Sequence, residues 1–193
     1  VIEKCEKNEW IQIETLHNQA KILMTSDSTK VEKDGKVSVI KNNKSITLEP
    51  TEDNNLLNMI ALLKKKGVLD DNITPVKPFI TNMLENPYID AVNEIYEYCK
   101  NMDFEITEDG CFLAYKKVRD DLGSVYDNGK TKHKIGEYTE VEKFDTDRNR
   151  ECSFGLHFCS KQYLNNYSGE VVILVKINPK DVVSIPKDYN FAK

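Results

Sequence analysis

Apolar and polar residues alternate in short runs over the first fifty positions of the chain, and this two-residue period is typical of strands with one wet face. Four runs show it: Trp10–Ile13, Ala20–Met24, Lys36–Ile40 and Ser45–Leu48. The last two flank Asn42 and Asn43, and asparagine is favoured in the tight turn of a hairpin. The pattern therefore predicts a small β-rich appendage over residues 1–50.

Helical spacing replaces this pattern after residue 50. Between residues 51 and 67, apolar side chains recur three or four positions apart, as on one face of a helix. Thr51 or Asp53 can cap the first amide groups, and Gly67 offers a left-handed end. The spacing predicts a helix between these signals.

Prolines divide the next segment into two more predicted helices. The first begins at Pro75 or Pro78 and ends at Leu84, before Pro87, which cannot donate to a helix ladder. Asn86 and Pro87 then resemble a cap and first turn of the second. Its apolar face comprises Tyr88, Val92, Ile95, Tyr96 and Cys99. We expect a helical part over residues 51–104.

The two-residue period returns after residue 107 and predicts a sheet. Cys111–Val118 alternates as a strand, and Val171–Ile177 is so apolar that we expect it at the centre of the sheet. Ser160 can cap a brief helix that ends at Gly169. Further strands are predicted at residues 137–144, 155–159 and 182–185, with an exposed loop or a long hairpin at 120–136. The overall prediction is an α+β protein with a mixed or antiparallel sheet at 107–193, and residues 51–193 forming one domain.

Composition narrows the class of protein. The 193 residues are 31% charged and 39% hydrophobic, with a net charge of −5. The longest apolar run, Val171–Val175, is far shorter than the roughly 18 residues of a membrane span. The acidic balance argues against general nucleic-acid binding. Five cysteines in a chain of this size favour reduced thiols and a cytoplasmic setting.

Three residues offer candidate chemistry close together in sequence. Cys152, His157 and Cys159 are all ligands for zinc, but they supply only three of its usual four. A cysteine–histidine pair could also form a nucleophilic dyad. The simpler interpretation is a strand whose side chains alternate between core and solvent, so we assign no catalytic residue and keep metal binding as an alternative.

Longer stretches of the second half resemble the rIIB-like proteins of tailed bacteriophages. The resemblance is carried by Thr107–Val118, Cys152–Ser160 and Val175–Asn190, and it covers about residues 79–193. The chain departs from the family pattern at Thr131–Gly136, and it stops at Lys193 where relatives tend to continue with another strand.

The resemblance implies a phage accessory protein rather than an enzyme. The family is associated with overcoming host exclusion and with lysis timing. It implies action in the host cytoplasm, with peripheral association at the inner membrane. The implied partner is an rIIA-like phage protein or a host defence factor. Four residues of the second half, Tyr115, Lys116, Tyr163 and Tyr167, are candidate contacts, because aromatic and cationic side chains are preferred at interfaces.

A shorter stretch resembles a motif of ADP-ribosyltransferases. Gly155–Ser160, followed by Tyr163 and Tyr167, is similar to the motif that lines their nicotinamide pocket. The resemblance implies a nicotinamide nucleotide bound between the strands of Tyr115 and His157, with or without transfer chemistry. A structural component of the phage particle is a third hypothesis, which composition does not separate from the first.

Overall fold

The computed structural model describes residues 18–32, 34–51, 55–150 and 152–193. The chain forms two compact units, one ending at Leu84 and the other running from Glu85 to Lys193. The domain boundary expected at residue 50 stays a prediction.

The first unit contains an antiparallel sheet of three strands in sequence order. These are β1 (Ser28–Val31), β2 (Val37–Lys41) and β3 (Lys44–Leu48). Asn42 and Asn43 connect β2 to β3 with φ angles of 50° and 60°, the left-handed pair that a two-residue hairpin turn requires. The predicted hairpin is confirmed.

The strand predicted at Ala20–Met24 is wrong, because residues 18–24 are helical (α1). Ala20 and Leu23 are both buried, and a spacing of three places them on one helical face. A short apolar run fits either period, so the pattern alone could not separate the two. The strand predicted at Trp10–Ile13 lies outside the described residues.

Two longer helices complete this unit. The first, α2 (Asn55–Lys65), buries the predicted stripe, and Gly67 follows with a φ of +71° that suits a helix end. Lys64 of α2 donates a hydrogen bond to the backbone carbonyl of Val31 in β1. A 3₁₀ turn at Thr74–Val76 leads into α3 (Lys77–Leu84), which confirms the helix predicted to end at Leu84.

The second unit begins with α4 (Ile89–Asn101) and contains the second antiparallel sheet, ordered β4–β5–β6. Its strands are β4 (Glu105–Ile106), β5 (Phe112–Val118) and β6 (Val171–Ile177). The register of β5 with β6 runs from the pair Phe112–Ile177 to the pair Val118–Val171. Phe158 packs between α4 and β5 in the core of this unit: its ring centre lies 5.6 Å from that of Tyr98 and 5.5 Å from that of Phe112.

The structure corrects the predicted arrangement of this sheet. The central strand is β5, while β6 lies at the edge of the described sheet with Val172 and Leu174 exposed. No strand forms at residues 137–144. From the predicted strand at 155–159, only Cys159 pairs, exchanging backbone hydrogen bonds of 2.7 and 2.8 Å with Tyr115 of β5.

The brief helix after Ser160 is a 3₁₀ helix, Lys161–Asn166, and the Ser160 hydroxyl accepts from the Tyr163 amide as predicted. Gly169 then lets the chain pass close to β5. A Cβ atom at Gly169 would lie 2.7 Å from the Cβ of Lys117, so a side chain there would collide with the strand.

The strand predicted at residues 182–185 is also wrong, for a reason visible in its hydrogen bonds. The Asn86 amide donates to the carbonyls of Pro179 and Val182, both at 2.8 Å. Further along, the Ile185 amide donates to a Glu94 carboxylate oxygen at 2.7 Å. Side chains of the α4 region therefore take up backbone groups that a strand would have offered to a neighbour.

The α+β class is confirmed, with an antiparallel rather than mixed sheet in the second half. Within the described residues, no helix combines the length and apolar character needed to cross a bilayer.

Replacing Asn86 tests whether its side chain holds the closing segment. Its oxygen also accepts from the Tyr88 amide at 2.8 Å, so Asn86→Ala leaves three backbone groups without this partner. We expect a loss of about 2–3 kcal/mol in the free energy of unfolding, measured by urea denaturation. The exposed Asn165 provides the control, and Asn165→Ala should change stability by less than about 0.5 kcal/mol. Equal effects of the two substitutions would contradict this role for Asn86.

Candidate functional site

A buried lysine is the unusual feature of β5. Alternate residues of this strand, Phe112, Ala114, Lys116 and Val118, face the interior, and Lys116 retains only 4% of its exposure. Lysine is almost never buried this deeply without an ionic partner. Its burial marks Lys116 as a candidate functional residue.

The surroundings of the Lys116 ammonium group contain few acceptors. Its Nζ donates to the backbone carbonyl of His157 at 2.8 Å and lies 5.9 Å from the centre of the Tyr167 ring. Among the described residues, no carboxylate forms an ion pair with it within 4.0 Å. Burial lowers the pKa of Lys116 to about 8, because the charged form loses its hydration.

A cleft of about 210 Å³ opens beside Lys116. One wall comes from the loop after β5 and the other from residues 152–157. Its lining includes Ser124, Tyr126, Asp127, Thr131, Val141, Lys143, Cys152, Ser153, Phe154, Gly155, Leu156 and His157. The structure thus brings two of the predicted binding residues, Lys116 and His157, to one concave site.

His157 is an uncharged member of this site at neutral pH. Burial, with smaller contributions from the charges of Lys116 and Lys193, lowers the pKa of His157 to about 4. Its imidazole can therefore donate one hydrogen bond and accept another without adding charge.

Tyr163 and Tyr167 lie next to the cleft and pack edge to face, with ring centres 6.1 Å apart. They line a smaller cavity of about 20 Å³ together with His157 and Lys193. Both tyrosines are buried, and burial raises the pKa of Tyr167. Because both side chains are buried, they expose little surface to a large partner.

Tyr115 is separated from the other predicted contacts. Successive side chains of a strand point to opposite faces, so Tyr115 lies on the face of β5 opposite Lys116 and is half-buried there. The nucleotide pocket expected between Tyr115 and His157 has its closest counterpart in the cleft on the Lys116 side.

The structure places the two candidate cysteines in different environments. Cys159 is fully buried, and burial raises the pKa of its thiol to about 11, which disfavours the reactive thiolate. Cys152 is exposed instead. In the described part of the chain, no three histidine, cysteine, aspartate or glutamate side chains lie close enough to hold a metal ion. The alternative metal set of Cys152, His157 and Cys159 is therefore not assembled.

Sequence reasoning missed the burial of His133, which lies in the segment expected to be an exposed loop or a long hairpin. Gly123 and Lys132 form a bridge there, and the His133 amide donates to the Leu122 carbonyl. His133 is buried, and its Nε2 atom has no hydrogen-bond partner among the described residues. Burial and the Lys116 charge lower its pKa. The bridge agrees with the hairpin alternative, and the Asn128-Gly129 pair is a turn signal that favours it.

The chain is similar to a known protein family. A family model described as bacteriophage T4 protein rIIB matches residues 54–193. The chain belongs to the rIIB family. The match includes α2 and everything after it, and so takes in both walls of the cleft.

The rIIB protein of Enterobacteria phage T4 is 43% identical over 122 residues, which are 60% of this chain and 38% of that relative. The chain therefore spans well under half the length of the T4 protein it matches. No solved structure matches the chain, so the resemblance to ADP-ribosyltransferases stays a prediction. Membership in the rIIB family makes this a phage accessory protein.

Lys116→Met tests the burial cost of the ammonium group. Below about pH 8, Lys116 is charged in the folded and in the unfolded chain, so the folded chain bears the full free-energy cost of burying that charge. Between about pH 8 and the unfolded pKa of 10.5, only the unfolded chain keeps the proton, so raising the pH stabilises the fold. Relative to Lys116→Met, the wild type should gain about 3 kcal/mol of stability across this interval.

Chemical denaturation at several pH values measures this difference. Lys117→Met, which removes a charge from the opposite face of the same strand, controls for charge loss in general. Parallel stability curves for wild type and Lys116→Met would refute the buried-cation interpretation.

Proposed function

We propose that this chain is a non-enzymatic interaction module that acts early in infection on host exclusion or defence, or on lysis timing. It acts in the host cytoplasm, with peripheral association at the inner membrane. Its partner is an rIIA-like phage protein or a host defence factor. The rIIB family membership of residues 54–193 supports the phage setting, and an exposed apolar surface supports the binding role.

That surface, which we call the apolar rim, comprises Phe144, Phe154 and Leu156. Their exposed fractions are 50%, 74% and 40%. The Asp145 amide donates to the Phe154 carbonyl at 2.9 Å, and Gly155 packs against Phe144. The two segments are therefore held side by side, which brings Phe144 next to the segment that carries Phe154 and Leu156.

Exposing two phenylalanines and a leucine together is unfavourable in water, and such patches commonly mark sites where another protein binds. Hydrogen bonds fix the loop that carries Phe144: the Asp145 carboxylate accepts from Ser153 at 2.5 Å and from Arg150 at 3.0 Å. A held loop loses little conformational entropy on binding, which favours affinity. The rim is thus the observation that carries the proposal.

Phe144→Ser combined with Phe154→Ser tests the rim. We expect the double variant to capture the rIIA-like protein of the same phage at least about tenfold more weakly than wild type, because two apolar anchors are lost. The measurement is co-purification from cells that express both proteins, followed by quantitative binding of the purified pair.

The matched control removes two exposed isoleucines from the first unit. Ile40 and Ile46 are each 44% exposed, and Ile40→Ser with Ile46→Ser should leave capture unchanged. Undiminished capture by the rim variant would contradict the proposal.

If the chain instead co-purifies in fixed ratio with phage particles, a structural role replaces the proposed one. Growth of phage carrying each variant on hosts with and without a resident prophage then separates exclusion from lysis timing.

A further inference from the structure

Lys116 has more hydrogen-bonding capacity than its surroundings use. An ammonium group carries three N–H donors, and one of them reaches the His157 carbonyl at 2.8 Å. No carboxylate of the described residues pairs with it within 4.0 Å. A buried cation without a counter-ion is costly to the fold, and an anion that enters the cleft would remove this cost.

Carboxylates near the cleft are already engaged elsewhere. Asp127 lines the cleft, but its oxygens accept from the amides of Lys130 and Thr131 at 3.0 and 2.9 Å. Asp145 accepts from the Ser153 hydroxyl. Lys143, on the rim side of the cleft, adds a second positive charge. Of the charged side chains that line the cleft, Lys116 and Lys143 are positive and Asp127 is negative, so the lining carries a net positive charge.

The remaining lining suits a ligand with a polar group and a flat apolar part. The Ser124 hydroxyl and the neutral His157 imidazole can each donate a hydrogen bond near Lys116. Tyr126 and Phe154 contribute aromatic surface at the mouth, and aromatic side chains stack on planar rings such as nucleobases.

We propose that this cleft binds a small phosphomonoester, with a phosphate oxygen accepting from the Lys116 ammonium group and the organic part lying between Tyr126 and Phe154. Phosphate fits better than carboxylate because it offers three acceptor oxygens and up to two negative charges, which match a lysine and two neutral donors. Lysine binds phosphate as a point charge and needs no bidentate geometry. This inference does not rest on the proposed protein partner.

Ligand titration followed by NMR of the wild-type chain tests the proposal. The probes are inorganic phosphate, AMP and acetate, each compared with sodium chloride at equal ionic strength. We expect phosphate and AMP to shift the signals of the Lys116 side chain and of Ser124, and acetate and chloride to leave them in place. Affinity for AMP at least about tenfold above that for phosphate identifies a nucleotide-like ligand, and equal affinities identify free phosphate as the source.

Two variants locate the binding. Lys116→Met should weaken phosphate or AMP binding by at least about tenfold, whereas Lys117→Met, with the same change of net charge, should bind as wild type does. Folding of both variants is checked by circular dichroism. The NMR shifts that phosphate and AMP cause in the wild-type chain test the proposal even if a variant fails to fold. Three results would overturn the proposal: shifts by chloride equal to those by phosphate, stronger binding of acetate than of phosphate, or unchanged affinity in Lys116→Met.

Discussion

The pairing of β5 with its neighbours is the constraint on which the second unit depends. Its hydrogen bonds to β6 and to Cys159 set which side chains face inward. Phe112 then packs with Tyr98 and Phe158, while Lys116, four residues on, enters the same interior. A slip of one residue would exchange the two faces of the strand. The hydrophobic core and the cationic cleft are thus consequences of one register.

The core and the cleft have opposite effects on the stability of the fold. Burial of Phe112 and its aromatic neighbours stabilises the fold, while burial of the Lys116 charge costs free energy. A single hydrogen bond to the His157 carbonyl compensates only part of that cost. Proteins retain such costly groups where they bind or react. The apolar rim beside the cleft also carries a cost in free energy, because its apolar side chains are exposed to water. Both functional proposals therefore concern the same face of the second unit.

Local signals predicted the elements whose ends are marked in the sequence. The Asn42-Asn43 turn located the first hairpin, and Gly67 located the end of α2. Predictions failed where a short apolar run fitted two periods, as at residues 18–24, or where backbone groups found side-chain partners. At Ile185 the partner is Glu94, ninety-one positions away. No local pattern could reveal a pairing over such a separation, since the chain must fold before those residues meet.

The sequence by itself determined the α+β class, the alternation of β5 and the kinship with the rIIB family, because periodicity and motifs are properties of neighbouring residues. It also singled out Lys116 and His157 as candidates. Only the tertiary structure decided that these two share a cleft, that Tyr115 faces away, and that Cys152 is exposed while Cys159 is buried. Burial, charge and access depend on which distant segments pack together, and those contacts turn an ordinary strand lysine into a buried cation that forms no close ion pair with any described residue.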